Sequence, residues 1–286
     1  MKLNMQTAEI YAPDGIAMPE ALSRTTHLAI SAHQDDIEIM ASDGILKCFQ
    51  QKDRWFTGVV VTDGAGSPRD DLYRDYTDEQ MKTVRRKEQK KAAYVGEYAG
   101  IVLLDYPSSA VKSAGETRVR EDLAEVLRVT RPEVVYTHNL ADKHDTHVAV
   151  ALRTIAAIRS LPEAERPKKL YGCEVWRDLD WPVDADKTAF DLSAHENLQA
   201  SLVGIFDSQI CGGKRYDLAT QGRRRAHATY FASHGTDTAT AVSYALDLSP
   251  LVTDASLDPW AYVNGYIERF QGEVKNRLAA LSGAKA

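Results

Sequence analysis

Short runs of β-branched and aromatic residues alternate along this chain with longer stretches whose apolar positions recur every three or four residues. The short runs predict strands over Thr26–Ser31, Thr57–Thr62, Ile101–Leu104, Glu133–Thr137 and Leu170–Trp176. Val59-Val60-Val61 and Val134-Val135 are nearly continuous apolar runs, as expected of parallel strands covered on both faces. Between them the pattern predicts helices over Ile37–Gln51, Asp78–Gly96, Thr117–Thr130 and His147–Ser160. In the last of these Val148, Leu152, Ile155 and Ile158 share one face, and Leu123, Val126 and Leu127 do the same in the helix before it. Gly96 and Pro132 stand near helix ends, where stop signals belong. The alternation implies an α/β fold with an open, mostly parallel sheet flanked by helices. Ligands in such folds bind outside the carboxyl ends of the strands, near a reversal in strand order.

After Leu161 the chain becomes richer in proline, charge and tryptophan as far as Pro182. Helical patterns resume at about Ser193–Ile210, Gly222–Ser233 and Pro259–Ala280. No long polar linker and no internal repeat divides the chain. The expectation is therefore one domain over residues 1–286, with an α/β core at about 25–180 and a C-terminal helical cap at about 181–286. Tyr216, Trp181 and Tyr230 are candidates for walling a cleft under that cap, with plain core packing as the alternative reading.

Composition narrows the function. The 286 residues are 44% hydrophobic and 27% charged, ordinary values for a globular protein with a sizeable core. A net charge of −6 argues against nucleic acid as a partner, since phosphate binding favours a cationic excess. The tight basic run Arg223-Arg224-Arg225 reads as a solvated helix face. No apolar stretch approaches the ~20 residues of a membrane span, and Met1 to Met18 lacks a signal-peptide core, so a cytoplasmic protein away from membranes is expected. The cysteines, Cys48, Cys173 and Cys211, are too scattered to suggest a disulfide framework or a thiolate zinc site.

Chemistry concentrates in two clusters. Ser31-Ala32-His33-Gln34-Asp35-Asp36 leaves one apolar run, and His144-Asp145-Thr146-His147 follows Val134-Val135-Tyr136. Both fall where a strand ends and a helix begins, so a fixed backbone would hold imidazoles and carboxylates at the sheet edge. Histidine nitrogen and aspartate oxygen suit Zn²⁺, and Fe²⁺, Co²⁺ or Mn²⁺ could use the same set. His33, Asp36 and His147 supply the three ligands of a catalytic zinc site with one open position. Asp35 and Asp36 are neighbours leaving a strand and so point in different directions; one can bind metal while the other faces a water and accepts its proton. His144, three residues before His147 on a first helical turn, would share its face and, as an imidazolium, steady an oxyanion or protonate a leaving amine.

These residues resemble a known family. His33-Gln34-Asp35-Asp36 with Ile37-Glu38 is similar to the His-Pro-Asp-Asp-Glu motif of the PIG-L/LmbE-like zinc-dependent N-acetylglucosaminyl deacetylases. The likeness continues through Val61 to Gly66, Arg85-Arg86-Lys87-Glu88 with Ala92, Ala93 and Gly96, His144 to His147, and Ser208-Gln209, covering roughly residues 25 to 210. It implies a Rossmann-like sheet with a C-terminal cap, zinc on His33, Asp36 and His147, Asp35 as general base, and His144 in oxyanion stabilisation or acid catalysis. It further implies that Arg85 faces the substrate, with a salt bridge to Glu88 as the alternative. The implied partner is a small N-acetylated amine, and a homo-oligomer is left open. Departures from the pattern are plain. Gln34 replaces a proline, and Ile37 takes the place of the glutamate, which comes one position later as Glu38. Asp145 follows His144 directly instead of preceding His147, so an orienting role passes to Asp142 or Asp145. Tyr106-Pro107-Ser108-Ser109 stands where many members carry Asp-Gly. Competing expectations are a metal-dependent hydrolase of another amide or an ester, and a non-catalytic sugar-phosphate or nucleotide module built on Asp63-Gly64-Ala65-Gly66-Ser67.

Overall fold

The computed structural model describes residues 1–283. Its strands are β1 (Glu9–Tyr11), β2 (His27–Ser31), β3 (Phe56–Thr62), β4 (Gly100–Tyr106), β5 (Val134–His138), β6 (Lys169–Cys173), β7 (Thr188–Asp191) and β8 (Val242–Asp247). They form one sheet in the order β1-β4-β3-β2-β5-β6-β8-β7. The central pairings from β4 through β3, β2 and β5 to β6 are parallel, and the outer pairings of β1, β8 and β7 are antiparallel. Every residue of β2 and β3 is buried, which explains the nearly continuous apolar run Val59–Val61 within β3.

Pleating divides those runs between two layers. Leu28, Ile30, Val59, Val61, Val102 and Leu104 enter one core. Ala29, Val60, Ile101 and Leu103 enter the other, on the opposite face. The chain proceeds from β2 outward to β3 and β4, then crosses back to place β5 on the other side of β2. The strand order thus reverses between β2 and β5. Their register pairs Leu28 with Val135 and Ala29 with Tyr136, so the two strand ends come out side by side. That is the switch point at which open α/β sheets bind ligands.

The expected α/β class holds, with three differences in detail. The helix expected over Ile37–Gln51 is two, Asp36–Met40 and Ser42–Cys48, broken at Ala41. That over Ser193–Ile210 is likewise Glu196–Gly204 and Asp207–Ile210. The C-terminal part is not helical alone: β7 and β8 extend the same sheet. Short antiparallel strands such as β7 carry too few residues to show a period of two, and their place is decided by pairing with β8. Among the described residues no helix is long and apolar enough to cross a membrane.

The basic triplet also differs from a solvated face. Arg223 donates to the Val175 carbonyl and Arg225 pairs with Glu196, but Arg224 is buried. Its guanidinium donates to Gln199 Oε1 (3.0 Å), the Glu38 and Ile39 carbonyls (3.0 and 2.9 Å) and Ser42 Oγ (2.6 Å). The last carbonyls of a helix have no partner within it, and here an arginine from the Tyr216–Tyr230 helix supplies one. Arg224→Ala would take a donor from the Gln199 amide oxygen and the Ile39 carbonyl, while the Glu38 carbonyl would keep the Ser42 hydroxyl (2.8 Å), and should cost about 3 kcal/mol. Urea unfolding checks this: a clear fall in midpoint is expected for Arg224→Ala and little change for the exposed Arg225→Ala.

Candidate active site

The site grows from the end of β2. Asp35 adopts φ 95° and ψ −30°, a conformation that non-glycine residues rarely hold and that marks a backbone constrained by its surroundings. Asp36 opens the following helix, and its Oδ2 accepts the His33 N–H at 2.7 Å, closing a tight turn. The same oxygen lies 3.2 Å from His33 Nδ1 and 3.4 Å from His147 Nε2. His33 Nδ1 and His147 Nε2 are 3.2 Å apart. Three donors on a tetrahedral zinc at 2.0–2.1 Å stand about 3.3 Å from one another. The triangle of His33, Asp36 and His147 has that size, and the donors are the kinds that such an ion takes.

His138 is the residue that the sequence reading missed. It ends β5, is fully buried, and stacks on His147 with ring centroids 3.9 Å apart. With Asp36 and His147 it forms a second group of metal-capable atoms, Nε2 standing 3.6 Å from Asp36 Oδ2. Its Nε2, however, accepts the Ala32 N–H at 2.8 Å, so the lone pair that a metal would need is already engaged. His138 therefore fastens the end of β2 to the end of β5. The only sequence signal was a histidine closing a strand.

Asp142 settles which carboxylate supports the histidines. Its Oδ2 lies 3.5 Å from His147 Nδ1 and accepts the Trp176 N–H at 3.1 Å, while Oδ1 accepts the His144 N–H at 3.0 Å. Asp145, the other candidate, is exposed on the first turn of the Asp145–Arg159 helix. His144 precedes that helix, stacks on His147 (4.5 Å between centroids) and meets His33 edge-on (5.0 Å).

The electrostatics separate the two adjacent aspartates. Burial pushes the Asp36 carboxyl up, but the imidazoles of His147, His138 and His33 overcome it and hold the group well below the usual carboxylate range. Asp35 goes the other way: burial, and then the charge of Asp36, raise it well above that range, only partly opposed by Arg85. Its Oδ2 is buried without a hydrogen-bond partner. Burial lowers His147, yet Asp36 and Asp142 bring it to a net rise. His144 is brought down to about 4 by burial and by its neighbours His147 and His33. The expected imidazolium is thus corrected: near neutral pH His144 is a neutral ring, because burial and the neighbouring imidazoles outweigh Asp36 and Asp142.

These groups open into a cavity of about 440 Å³ lined by His33, Asp35, Asp36, His144, Trp176 and Tyr216, among others. One wall is the Asp63–Pro68 loop. Gly64 in that loop has φ 77°, and a Cβ there would stand 2.4 Å from Gln34 Oε1. Its glycine serves close packing on the His33–Asp36 turn. Of the aromatic candidates only Tyr216 lines the cavity; Trp181 packs near Phe270 and Tyr230 is 79% exposed. Arg85 needs correction as well. It is fully buried, and its guanidinium donates to the Gly64 carbonyl, to Ser67 Oγ (2.7 Å) and to Gln209 Oε1 (3.3 Å). It braces the loop from behind and does not face the cavity. Nor does it bond to Glu88, whose carboxylate accepts from Ser208 N and Oγ.

Fold and site together define the class: an α/β protein with a Rossmann-like sheet and a histidine–aspartate cluster of metal-binding geometry at its switch point. The family model PIG-L, described as GlcNAc-PI de-N-acetylase, matches residues 28–158. No curated protein matches the chain. Among solved structures, the conserved protein TT1542 from Thermus thermophilus is 19% identical over 82% of this chain and 99% of its own, with a TM-score of 0.62. The N,N'-diacetylchitobiose deacetylase from Pyrococcus horikoshii is 16% identical over 80% of this chain and 86% of its own, also at 0.62. GalB, the 4-carboxy-2-hydroxymuconate hydratase from Pseudomonas putida, is 18% identical over 78% and 96%, at 0.58. These likenesses show a shared fold.

In metal-free protein, His147 should titrate above its ordinary 6.5 and His144 near 4. Asp142→Asn removes a negative charge that favours the His147 imidazolium, so the pKa of His147 should fall. NMR titration of the imidazole protons measures all three outcomes.

Proposed function

We propose that this protein is a metal-dependent N-deacetylase that hydrolyses the N-acetyl group of an amino sugar or a related small amine. The observation that carries this reading is the His33–Asp36–His147 triangle beside the buried Asp35 carboxylate with its unpartnered Oδ2, with His33, Asp35 and Asp36 lining one cavity. The description of the matching family and the deacetylase among the structural neighbours support the choice of bond.

His33, Asp36 and His147 would hold the ion, with zinc favoured by the nitrogen and oxygen donors and Fe²⁺, Co²⁺ or Mn²⁺ suited to the same set. When bound, a divalent cation there supplies Lewis acidity toward the acetyl carbonyl and lowers the pKa of a water. Asp35 takes the proton of the attacking water at its free Oδ2 and returns it to the departing amine. Its raised pKa brings proton affinity closer to the operating pH than an ordinary carboxylate allows. His144, a neutral ring in the cavity lining, donates an N–H to the oxygen on which negative charge develops. Asp142 holds His147 by its Nδ1 side, leaving Nε2 beside Asp36, where it would serve as a ligand.

His147→Ala should lose most of the bound metal with the fold retained, read by elemental analysis and circular dichroism. Undiminished metal would overturn the ligand assignment. Asp35→Asn should keep the metal and lose turnover by about 10²–10⁴-fold. Acetate release from a panel of N-acetylated amino sugars and amines tests the activity itself; a metal-loaded protein that hydrolyses esters or other amides and no acetamide would move the reading to that bond.

A further inference from the structure

Two lysines line the cavity, and a third stands beside the ring of Trp176 in its wall. Lys112 ends the Ser108–Lys112 helix and Lys214 follows the Asp207–Ile210 helix, and both line the cavity. Lys214 lies 5.1 Å from the centroid of the Trp176 ring, and Lys143 lies 5.8 Å from the same ring. Among the described residues, none of the three has a carboxylate within ion-pair distance. Elsewhere Lys47, Lys82, Lys90, Lys168, Lys169 and Lys187 each have one. Of the three acids in the lining, Asp63 is paired with Lys82 at 3.2 Å, Asp36 is surrounded by His33, His138 and His147, and Asp35 is buried. In a chain of net charge −6, unpaired cations at one cleft form a local field opposite to that of the whole molecule.

The opposite wall adds a donor. Ser67 lines the cavity, and its Oγ accepts a hydrogen bond from the buried Arg85 guanidinium. With that lone pair engaged by the arginine, the hydroxyl hydrogen is left to be donated to a ligand in the cavity. Lys214 is half-buried and held over an aromatic face, so part of the ordering that ligand binding requires has already taken place.

We propose that the substrate is anionic: beyond the acetamide it carries a carboxylate or phosphate that Lys112, Lys214 and the Ser67 hydroxyl, all in the cavity lining, bind. The anion site follows from these residues; only the acetamide end rests on the deacetylase reading. The shared chemistry is a compact anion on a small amine, and the aromatic pair Trp176 and Tyr216, perpendicular at 6.1 Å, walls the space between anion and reacting centre.

Calorimetric titration of the zinc-loaded protein with inorganic phosphate and with succinate tests this, with the Lys112→Met/Lys214→Met double variant in parallel. Binding should be at least roughly tenfold weaker in the double variant at unchanged zinc content, the size expected of two ion pairs at a partly exposed site. The tighter of the two probes tells phosphate from carboxylate, and equal affinities leave both as members of one anion class. Failure of both probes to bind wild type, or undiminished binding to the double variant, overturns the proposal, the latter because the metal alone would then be holding the anion. If lysine-dependent binding is found but no N-acetylated amine releases acetate, the deacetylase reading falls and the anion site stands. If acetate is released while the anion results are negative, the reverse holds.

Discussion

A single buried carboxylate organises this molecule. Asp36 is almost wholly removed from water, a costly place for a negative charge unless partners surround it. The partners come from two strand ends: the His33 N–H and imidazole from beyond β2, and the rings of His138 and His147 from the end of β5 and the helix after it. They can meet only because β2 and β5 are adjacent parallel strands in register. The strand order of the sheet is thus a precondition for the charge to be buried at all.

Around this point the structure adds supports that never reach the cavity. Arg224 satisfies the trailing carbonyls of the helix that Asp36 begins. Glu38, pushed up to about 8 by burial, accepts hydrogen bonds from Tyr98 and Gln89 and ties that helix to the Asp78–Val95 helix packed in the same layer. Arg85 braces the Gly64–Ser67 loop, and Asp142 connects His147, His144 and Trp176. Such supports limit the motion of the groups that face the cavity, and their rigidity is what lets two adjacent aspartates keep opposite proton affinities.

A common fold does not by itself choose a reaction. The structural neighbours include a deacetylase and a hydratase. What differs between such proteins lies in the loops and side chains at the strand ends, above a shared sheet. In this chain those are the Asp63–Pro68 loop, Trp176, Tyr216 and the lysines in the cavity lining.

Much was legible in the sequence because it is local. The runs that became β2, β3, β4, β5 and β6, the helices between them and the His33–Asp36 and His144–His147 clusters all depend on neighbours a few positions away. Strand and helix periods and metal-ligand chemistry are written at that range. What only the tertiary structure decided depends on residues far apart in the chain. Arg224 is 182 positions from the Ser42 hydroxyl it reaches, and its burial could not be told from the solvated arginines beside it. Arg85 was sent behind the loop by a hydrogen bond to Ser67 18 positions away and another to Gln209 124 positions away. His138 became a clasp because its acceptor atom meets Ala32, 106 positions earlier. The protonation of His144 was set by burial and the other rings packed around it, not by the aspartate next to it in the chain. Side-chain chemistry names the candidates, but burial and distant partners assign their roles, because desolvation and charge pairing act through space and carry no period along the sequence.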